Sequence, residues 1–310
     1  MSIQDSDISW QLLGRIVKDW AGEQAELAEV QALDGGVINT TLRLTLVDGQ
    51  RAVLKISPHR VNRDYEREAH QLDLLRGIGL PTPRVYRLEP GSLDHPNSYV
   101  LLEFMEGVDL THARQQCLEE HFDHLQCHLA ELMARMHRQT AAKYSRVRSA
   151  EVPAFDQWTD FFRHIYDPIL AEVQKSPEMP QRARKQIGKI HEDLERLLSH
   201  QDVPRLVHWD VWSNNLLAAP NGDGRWKITA VLDPNCKFAH AEAEIAYMDL
   251  FHTCTPSFLR TYQSEFRLDD GYHRVRKHVY QLYSLIDHVN LFGHEYMKPM
   301  LAALEKVEKM

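Results

Sequence analysis

Cysteine is scarce in this chain and long apolar runs are missing, and each shortage removes a class of protein. The four cysteines, Cys117, Cys127, Cys236 and Cys254, form no CxxC pair and no zinc-ligand rhythm. A disulfide scaffold and a structural zinc site are therefore excluded, and the thiols are read as reduced. No run of some 18 apolar residues occurs, and the N-terminal stretch lacks a basic segment followed by an apolar core, so neither a membrane span nor a secretory signal is expected. That points to a cytoplasmic protein. Positive charge is also short: Lys and Arg number 36 against 44 Asp and Glu, a net charge of −8. Such a balance argues against a general nucleic-acid or anionic-membrane binder, while leaving room for a local basic patch that holds phosphates. Histidines are numerous but scattered, with no HExxH pattern, which favours surface or hydrogen-bonded structural roles over metal binding. No repeat of fixed period and no low-complexity linker is present.

What is there is ordinary globular material, 43% hydrophobic and 26% charged over 310 residues, enough for two lobes each with its own core. The chain is organised around Leu206 to Asp233. An apolar entry leads to His208, Asp210 and Asn215, followed by a polar turn with two glycines and an apolar run that ends at Asp233. An aspartate five residues before an asparagine, on a loop between two apolar runs, can set a carboxylate beside a substrate hydroxyl and an amide beside a metal ion. A second carboxylate from the next hairpin, Asp233, completes a set of hard oxygen donors suited to Mg²⁺. His-x-Asp-x4-Asn with Asp-Pro-Asn 18 residues later has the spacing of a kinase catalytic loop and its downstream metal aspartate. Taken singly, each piece is an ordinary turn, since Asp and Asn bond their own backbone and Pro fixes φ.

Upstream, Ile8 to Trp20 carries the three-and-four rhythm of an amphipathic helix. Val30 to Ser57 then contains three β-like runs, separated by Asp34-Gly35-Gly36 and by the hairpin signal Asp48-Gly49. Gly35 and Gly36, with Asn39, Thr40 and Thr41 behind them, sit where bare backbone N–H groups can approach a phosphate. Two glycines in a hairpin are equally an ordinary turn. Lys55 ends the third run, a charge among apolar strand residues, and needs a partner if buried. The following helical stretch, Val61 to Gly77, offers Glu68 as that partner, with Glu66 as the alternative, so that Lys55 is held against the α- and β-phosphates of ATP. Prolines at 81 and 83 end the helix. Arg84 to Leu88 and Ser98 to Phe104 complete a five-strand lobe over residues 1–104. A connector, 105–108, follows, and in a kinase-like layout the C=O of Glu103 and the N–H of Met105 would face adenine. The remainder, within 105–310, reads as mainly helical: a long stripe from Leu125 to His137, a loop from Ala141 to Phe155, and helices over Trp158–Val173, Arg182–Leu198, Glu242–Phe251, Pro256–Phe266 and Tyr272–Phe292. The expectation is an α+β fold with a small antiparallel β lobe and a larger helical lobe around a cleft.

His208-Trp209-Asp210-Val211-Trp212-Ser213-Asn214-Asn215, Asp233-Pro234, His240 to Ala246 and Tyr280-Gln281-Leu282-Tyr283 with His288 and Leu291-Phe292-Gly293 together resemble the fructosamine (ketosamine) kinases. These belong to the aminoglycoside-phosphotransferase and choline-kinase-like branch of the protein-kinase-like fold. The resemblance implies that Asp210 accepts the substrate hydroxyl proton, that Asn215 and Asp233 hold Mg²⁺, and that Lys55, oriented by Glu68, grips ATP. It further implies that His208 braces the loop and that Trp212 offers an aromatic wall to a small sugar-amine substrate, with a core tryptophan as the alternative. Trp209 stands where the family usually has glycine and makes the acceptor side bulkier. The family's arginine after the metal aspartate is missing from Ala239-His240-Ala241-Glu242, and the glycine and asparagine pattern expected between Lys143 and Gln157 is also missing. These differences bear on the acceptor more than on the reaction type. An aminoglycoside or other amino-alcohol phosphotransferase is the second enzyme reading. A kinase-shaped binding protein without turnover is the third, and it would require a broken catalytic set.

Overall fold

Alternation of apolar and polar residues from Leu27 to Glu103 builds one antiparallel sheet and gives each of its faces a helix. The computed structural model describes residues 8–33, 40–58, 64–92 and 97–310. Helix α1 (Trp10–Ala21) starts at Ser9, whose hydroxyl accepts the Leu12 N–H. It is followed by β1 (Leu27–Ala32), β2 (Thr40–Leu46), β3 (Arg51–Pro58), α2 (Tyr65–Gly77), β4 (Val85–Glu89) and β5 (Asn97–Glu103). The strand order is β1-β2-β3-β5-β4. In β3, Ala52, Leu54 and Ile56 point to one face, where they pack with Leu42, Leu44 and Leu46 of β2 and Leu13, Ile16 and Val17 of α1. Burying each such side chain contributes roughly 1.5–3 kcal/mol. Period two sends Val53 and Lys55 to the opposite face, where Val53 packs with Tyr65 and Leu72 of α2 and with Val100 and Leu102 of β5. A largely buried lysine thus faces a helix.

Helix α2 begins at Asp64, whose carboxylate accepts the Arg67 N–H at 3.0 Å. Its buried residues include Tyr65, Glu68, Ala69, Leu72 and Leu75, a three-and-four stripe, whereas Glu66 is exposed. The helical period therefore decides between the two glutamates.

After β5 the chain enters a segment without regular structure, Phe104–Gly107, then β6 (Val108–Asp109) and α3 (Leu110–Gln116). The helical part that follows comprises α4 (Glu119–His137), β7 (Tyr144–Arg146), β8 (Ala154–Phe155), α5 (Trp158–Val173), α6 (Gln181–Glu192) and α7 (Leu194–Leu197). The chain then forms β9 (Arg205–Val207), β10 (Leu216–Pro220), β11 (Trp226–Val231), β12 (Lys237–Ala239), α8 (Ala241–Leu250) and α9 (Pro256–Gln263). A π-helical turn (Tyr272–Arg276), α10 (Lys277–Phe292) and α11 (Met297–Glu308) end it. Two short sheets join distant stretches: β11-β10-β6 and β8-β7-β12-β9. The loop expected between Ala141 and Phe155 contains β7 and β8. These pair with each other, and β7 pairs in addition with β12, a non-local partnership that short polar runs do not advertise.

The chain divides into two compact units. One comprises residues 1–116, 214–221 and 228–234, and the other 117–213, 222–227 and 235–310. The first unit reaches beyond residue 104 and takes in β10 because β6 pairs with it, Asp109 opposite Leu217 and Val108 opposite Ala218. The chain therefore passes from one unit to the other between Ser213 and Asn214, within the stretch from Leu206 to Asp233. No helix among the described residues is long and apolar enough to cross a membrane.

Gly107 makes the connector possible. Its φ is +143°, and an added Cβ would lie 2.9 Å from the Ala218 carbonyl oxygen and 2.8 Å from Thr229 Oγ1. The latter hydroxyl already donates to the Glu106 carbonyl at 2.7 Å. Gly107→Ala is expected to destabilise the protein by about 1–3 kcal/mol through overpacking and backbone strain, read as a lower urea midpoint; an unchanged midpoint would show that the connector can move aside.

Candidate active site

In the first unit the charged groups expected to serve the nucleotide lie together. Lys55 Nζ donates to Glu68 Oε1 at 2.6 Å, and both side chains are largely buried. The same ammonium also bonds Asp233 Oδ1. Asp233 adopts φ +54°, a conformation rare for a residue with a side chain. The Leu232 N–H just before it donates to the Asn215 carbonyl at 2.8 Å, so the metal pair expected from sequence is drawn to one place by a backbone bond. Asn215 closes a 3-10 turn, Ser213–Asn215, and is buried.

The chemistry of this donor set fits Mg²⁺. Among the described residues no group of three or more His, Cys, Asp or Glu side chains could enclose a metal. One carboxylate and one amide, both hard oxygen donors, are the usual protein share for a Mg²⁺ that completes its shell with water and phosphate. The Lys55 ammonium against Asp233 shows that this carboxylate sits where positive charge is favoured. At the connector, Glu103 ends β5 with its N–H donated to the Arg84 carbonyl at 2.8 Å, and Met105 lies half-buried in the irregular segment. Gly35, Gly36 and Asn39 fall outside the described residues.

In the second unit the loop carrying Asp210 is fixed from several sides. His208 is fully buried, its carbonyl accepts the Asn235 N–H at 3.0 Å, and its Nδ1 accepts the Asp210 N–H at 3.3 Å. It is the brace expected from sequence position. Trp209 adopts φ +70°, the left-handed region that favours glycine. Its N–H donates to Glu244 Oε1 at 2.5 Å, and its indole lies under the Lys237 ammonium at 4.5 Å and edge-on to Trp158 at 6.5 Å. The loop thus keeps a glycine-like backbone while the side chain is held by a cation–π contact. Trp212 is half-buried, and its indole makes no hydrogen bond or ring contact among the described residues. Of the two tryptophans, then, Trp209 is engaged by its own unit and Trp212 is not.

Helix α8 supplies groups that the sequence reading did not single out for the site. Glu244, with no exposed side-chain surface, also bonds His137 Nε2 at 2.8 Å. One turn further, Tyr247 Oη donates to Asp210 Oδ1 at 2.7 Å. Burial, and then the Asp210 charge, raise the Tyr247 pKa above the ordinary tyrosine value, so the phenol stays a donor. Asp287 of α10 is held above the usual carboxylate range, chiefly by burial and also by Asp210, against the lowering influence of His288, Lys237 and Arg146. Arg276, from the π-helical turn, pairs with Glu242 through Nε–Oε1 at 2.6 Å and Nη2–Oε2 at 2.9 Å, and also bonds Asp269 at 2.8 Å. His240 stacks on Trp158 at 4.7 Å, and burial pushes its pKa down to about 3. The available signal was charge inside an apolar helix. Ala241–Leu250 is mostly buried yet carries Glu242 and Glu244, and buried carboxylates require partners.

A sequence model of the fructosamine kinase family matches residues 9–310. Among individual relatives, a probable ketoamine kinase of Synechocystis sp. strain PCC 6803 is 27% identical over 302 residues, 95% of this chain and 95% of that protein. One of Escherichia coli K12 is 25% identical over 310 residues, 96% of this chain and 99% of its own. The fold matches a solved candidate fructosamine-3-kinase of Haemophilus somnus 129PT with TM-score 0.76 at 20% identity, covering 96% of this chain and 97% of the other. It also matches the aminoglycoside phosphotransferase APH(4)-Ia, solved with AMP-PNP and hygromycin B, with TM-score 0.68 at 19% identity, covering 95% and 97%. The architecture is that of the protein-kinase-like phosphotransferases.

Position 209 offers a test of backbone against side chain. Both Trp209→Ala and Trp209→Gly lose the indole contacts with Lys237 and Trp158, but only alanine keeps the left-handed penalty of an L side chain, about 1–2 kcal/mol. The glycine variant is therefore expected to be the more stable of the two by about 1 kcal/mol in urea denaturation. An alanine variant of equal or greater stability would show that φ at this position relaxes.

Proposed function

We propose a division of labour within this chain, which belongs to the fructosamine kinase family and is an ATP-dependent phosphotransferase acting on a hydroxyl of an amine-linked sugar. Asp210 takes the proton of the acceptor hydroxyl as that oxygen bonds to the γ-phosphorus and the bond to the ADP oxygen breaks. Lys55, aligned by Glu68, holds the α- and β-phosphates, and Asn215 with Asp233 holds Mg²⁺. Gly35, Gly36 and Asn39 cover the phosphates with backbone and amide donors, and the connector groups of Glu103 and Met105 take adenine. Bound Mg²⁺ neutralises charge on the β- and γ-phosphates. Trp212 lies two residues from the base and supplies the flat wall against which the sugar ring stacks; Trp209 shapes the loop beside it. The observation that carries this reading is the Lys55–Glu68–Asp233 ion cluster, with Asn215 bonded to the residue before Asp233. Catalysis is then positioning and charge neutralisation, without a covalent enzyme intermediate.

The full set Lys55, Glu68, Asp210, Asn215 and Asp233 speaks against a binding protein without turnover. The acceptor is tested by assaying purified protein with ATP and Mg²⁺ against ketosamines, aminoglycosides and simple amino alcohols. Strong preference for an aminoglycoside would overturn the acceptor assignment and spare the kinase reading, whereas failure to bind Mg²⁺-ATP would overturn the nucleotide-side roles.

Two substitutions separate the roles. Asp210→Asn should keep folding and ATP binding while lowering kcat about 10²–10⁴-fold, the usual contribution of a general base; a variant within a few-fold of the parent removes Asp210 from proton transfer. Asp233→Ala should move the Mg²⁺ dependence of activity and of ATP binding to higher concentration. An unchanged titration would reduce Asp233 to a turn residue.

A further inference from the structure

Helix α8 holds the Asp210 loop at two points one helical turn apart. Glu244 accepts the Trp209 N–H at 2.5 Å and fixes the backbone; Tyr247 donates to Asp210 Oδ1 at 2.7 Å and fixes the side chain. Residues three apart lie on one face of a helix, so a single rigid element sets both the path of the loop and the rotation of the carboxylate. The Tyr247 ring is itself immobilised, 4.7 Å from Phe251 on its own helix and 6.1 Å from His288 of α10. Asp210 also shares its surroundings with a second acid, Asp287, which burial and Asp210 itself hold above the usual carboxylate range.

We propose that Tyr247 is a positioning residue for the phosphoryl transfer, its phenol clamping one oxygen of the Asp210 carboxylate so that the group is presented in one rotamer to the acceptor hydroxyl. The inference rests on the reading of Asp210 as the base. A carboxylate on a loop turns about two side-chain torsions, and a fixed donor removes that freedom before substrate arrives. Because the donor is neutral and stays protonated, the clamp orients the acid without cancelling its charge. A partner such as lysine would hold Asp210 as firmly but would quench it as a proton acceptor. A neutral phenol as donor to the carboxylate is therefore consistent with its chemistry. In this role Tyr247 acts through Asp210.

The test is kinetic and uses the full chain with its best ketosamine, ATP and Mg²⁺. Tyr247→Phe removes the hydroxyl and keeps the ring. It should lower kcat about ten- to hundredfold, the range for a hydrogen bond to a charged group, with KM for ATP and the melting temperature nearly unchanged. In an Asp210→Asn background the same substitution should change kcat less than twofold, because the oriented group is already gone. Phe251→Leu loosens the ring packing without touching the phenol–carboxylate bond, and should lower the melting temperature more than Tyr247→Phe while lowering kcat less. A Tyr247→Phe enzyme within twofold of the parent overturns the proposal, as does an equal loss in the Asp210→Asn background or a Phe251→Leu enzyme that loses as much kcat. Retention of activity by Asp210→Asn alone would instead overturn the base assignment, and this inference with it. The two failures are distinguishable by which single variant stays active.

Discussion

A carboxylate without exposed surface, Glu244, is the fixed point of the helical unit. It sits between the His137 ring at the end of α4 and the Trp209 N–H, and so ties the longest helix to the loop that carries Asp210. A buried acid is tolerated only with partners for its oxygens. Here the partners are a histidine and a strained peptide, so the same bonds that stabilise the acid hold the loop in a left-handed turn. Around this point the unit distributes its remaining charge in matched sets: Arg276 with Glu242 and Asp269, Lys237 over Trp209, Tyr247 with Asp210. In the smaller unit Lys55 plays the corresponding part, since its ammonium ties β3 to α2 through Glu68 and to the β11 hairpin through Asp233.

Much of this was legible in the amino-acid sequence. Period-two alternation in Ala52–Ile56 identified Lys55 as the odd charge of a strand with Glu68 as its partner, and Glu66 stayed the alternative until the structure showed it exposed. The spacing of Asp210, Asn215 and Asp233 marked the loop and hairpin, because these are local relations written along one stretch of chain. Relations across the chain were not legible. Nothing in Tyr144–Arg146 or Ala154–Phe155 announces a strand, since such short segments become strands only by pairing with each other and, for the first, with β12. Tyr247 reads as one more apolar-face residue of α8 until the fold brings Asp210 to its hydroxyl. Trp209 read as bulk beside the base, whereas the structure shows a backbone that wants glycine and a ring turned to Lys237.

The family relationship and the geometry carry different parts of the functional account. Membership settles the reaction type, and the fold places the chain among the kinase-like phosphotransferases. The acceptor side is where this chain departs from the pattern it resembles, and there the side-chain geometry is the better guide. On that side the structure shows Tyr247 bonded to Asp210 and Trp212 half-buried two residues further along the loop.

The π-helical turn at Tyr272–Arg276 carries a consequence for how the protein folds. A π turn holds one residue more than the α-helix around it, and each residue turns a helix by about 100°. Removing that extra residue would swing the Arg276 guanidinium off Glu242 and leave that buried carboxylate with the Tyr280 hydroxyl in place of a cation. The irregular turn and the ion pair therefore favour one another, since the extra residue sets Arg276 against Glu242 and Asp269. In such a protein a one-residue deletion within a helix, far along the chain from Asp210, is more damaging than many substitutions nearer to it.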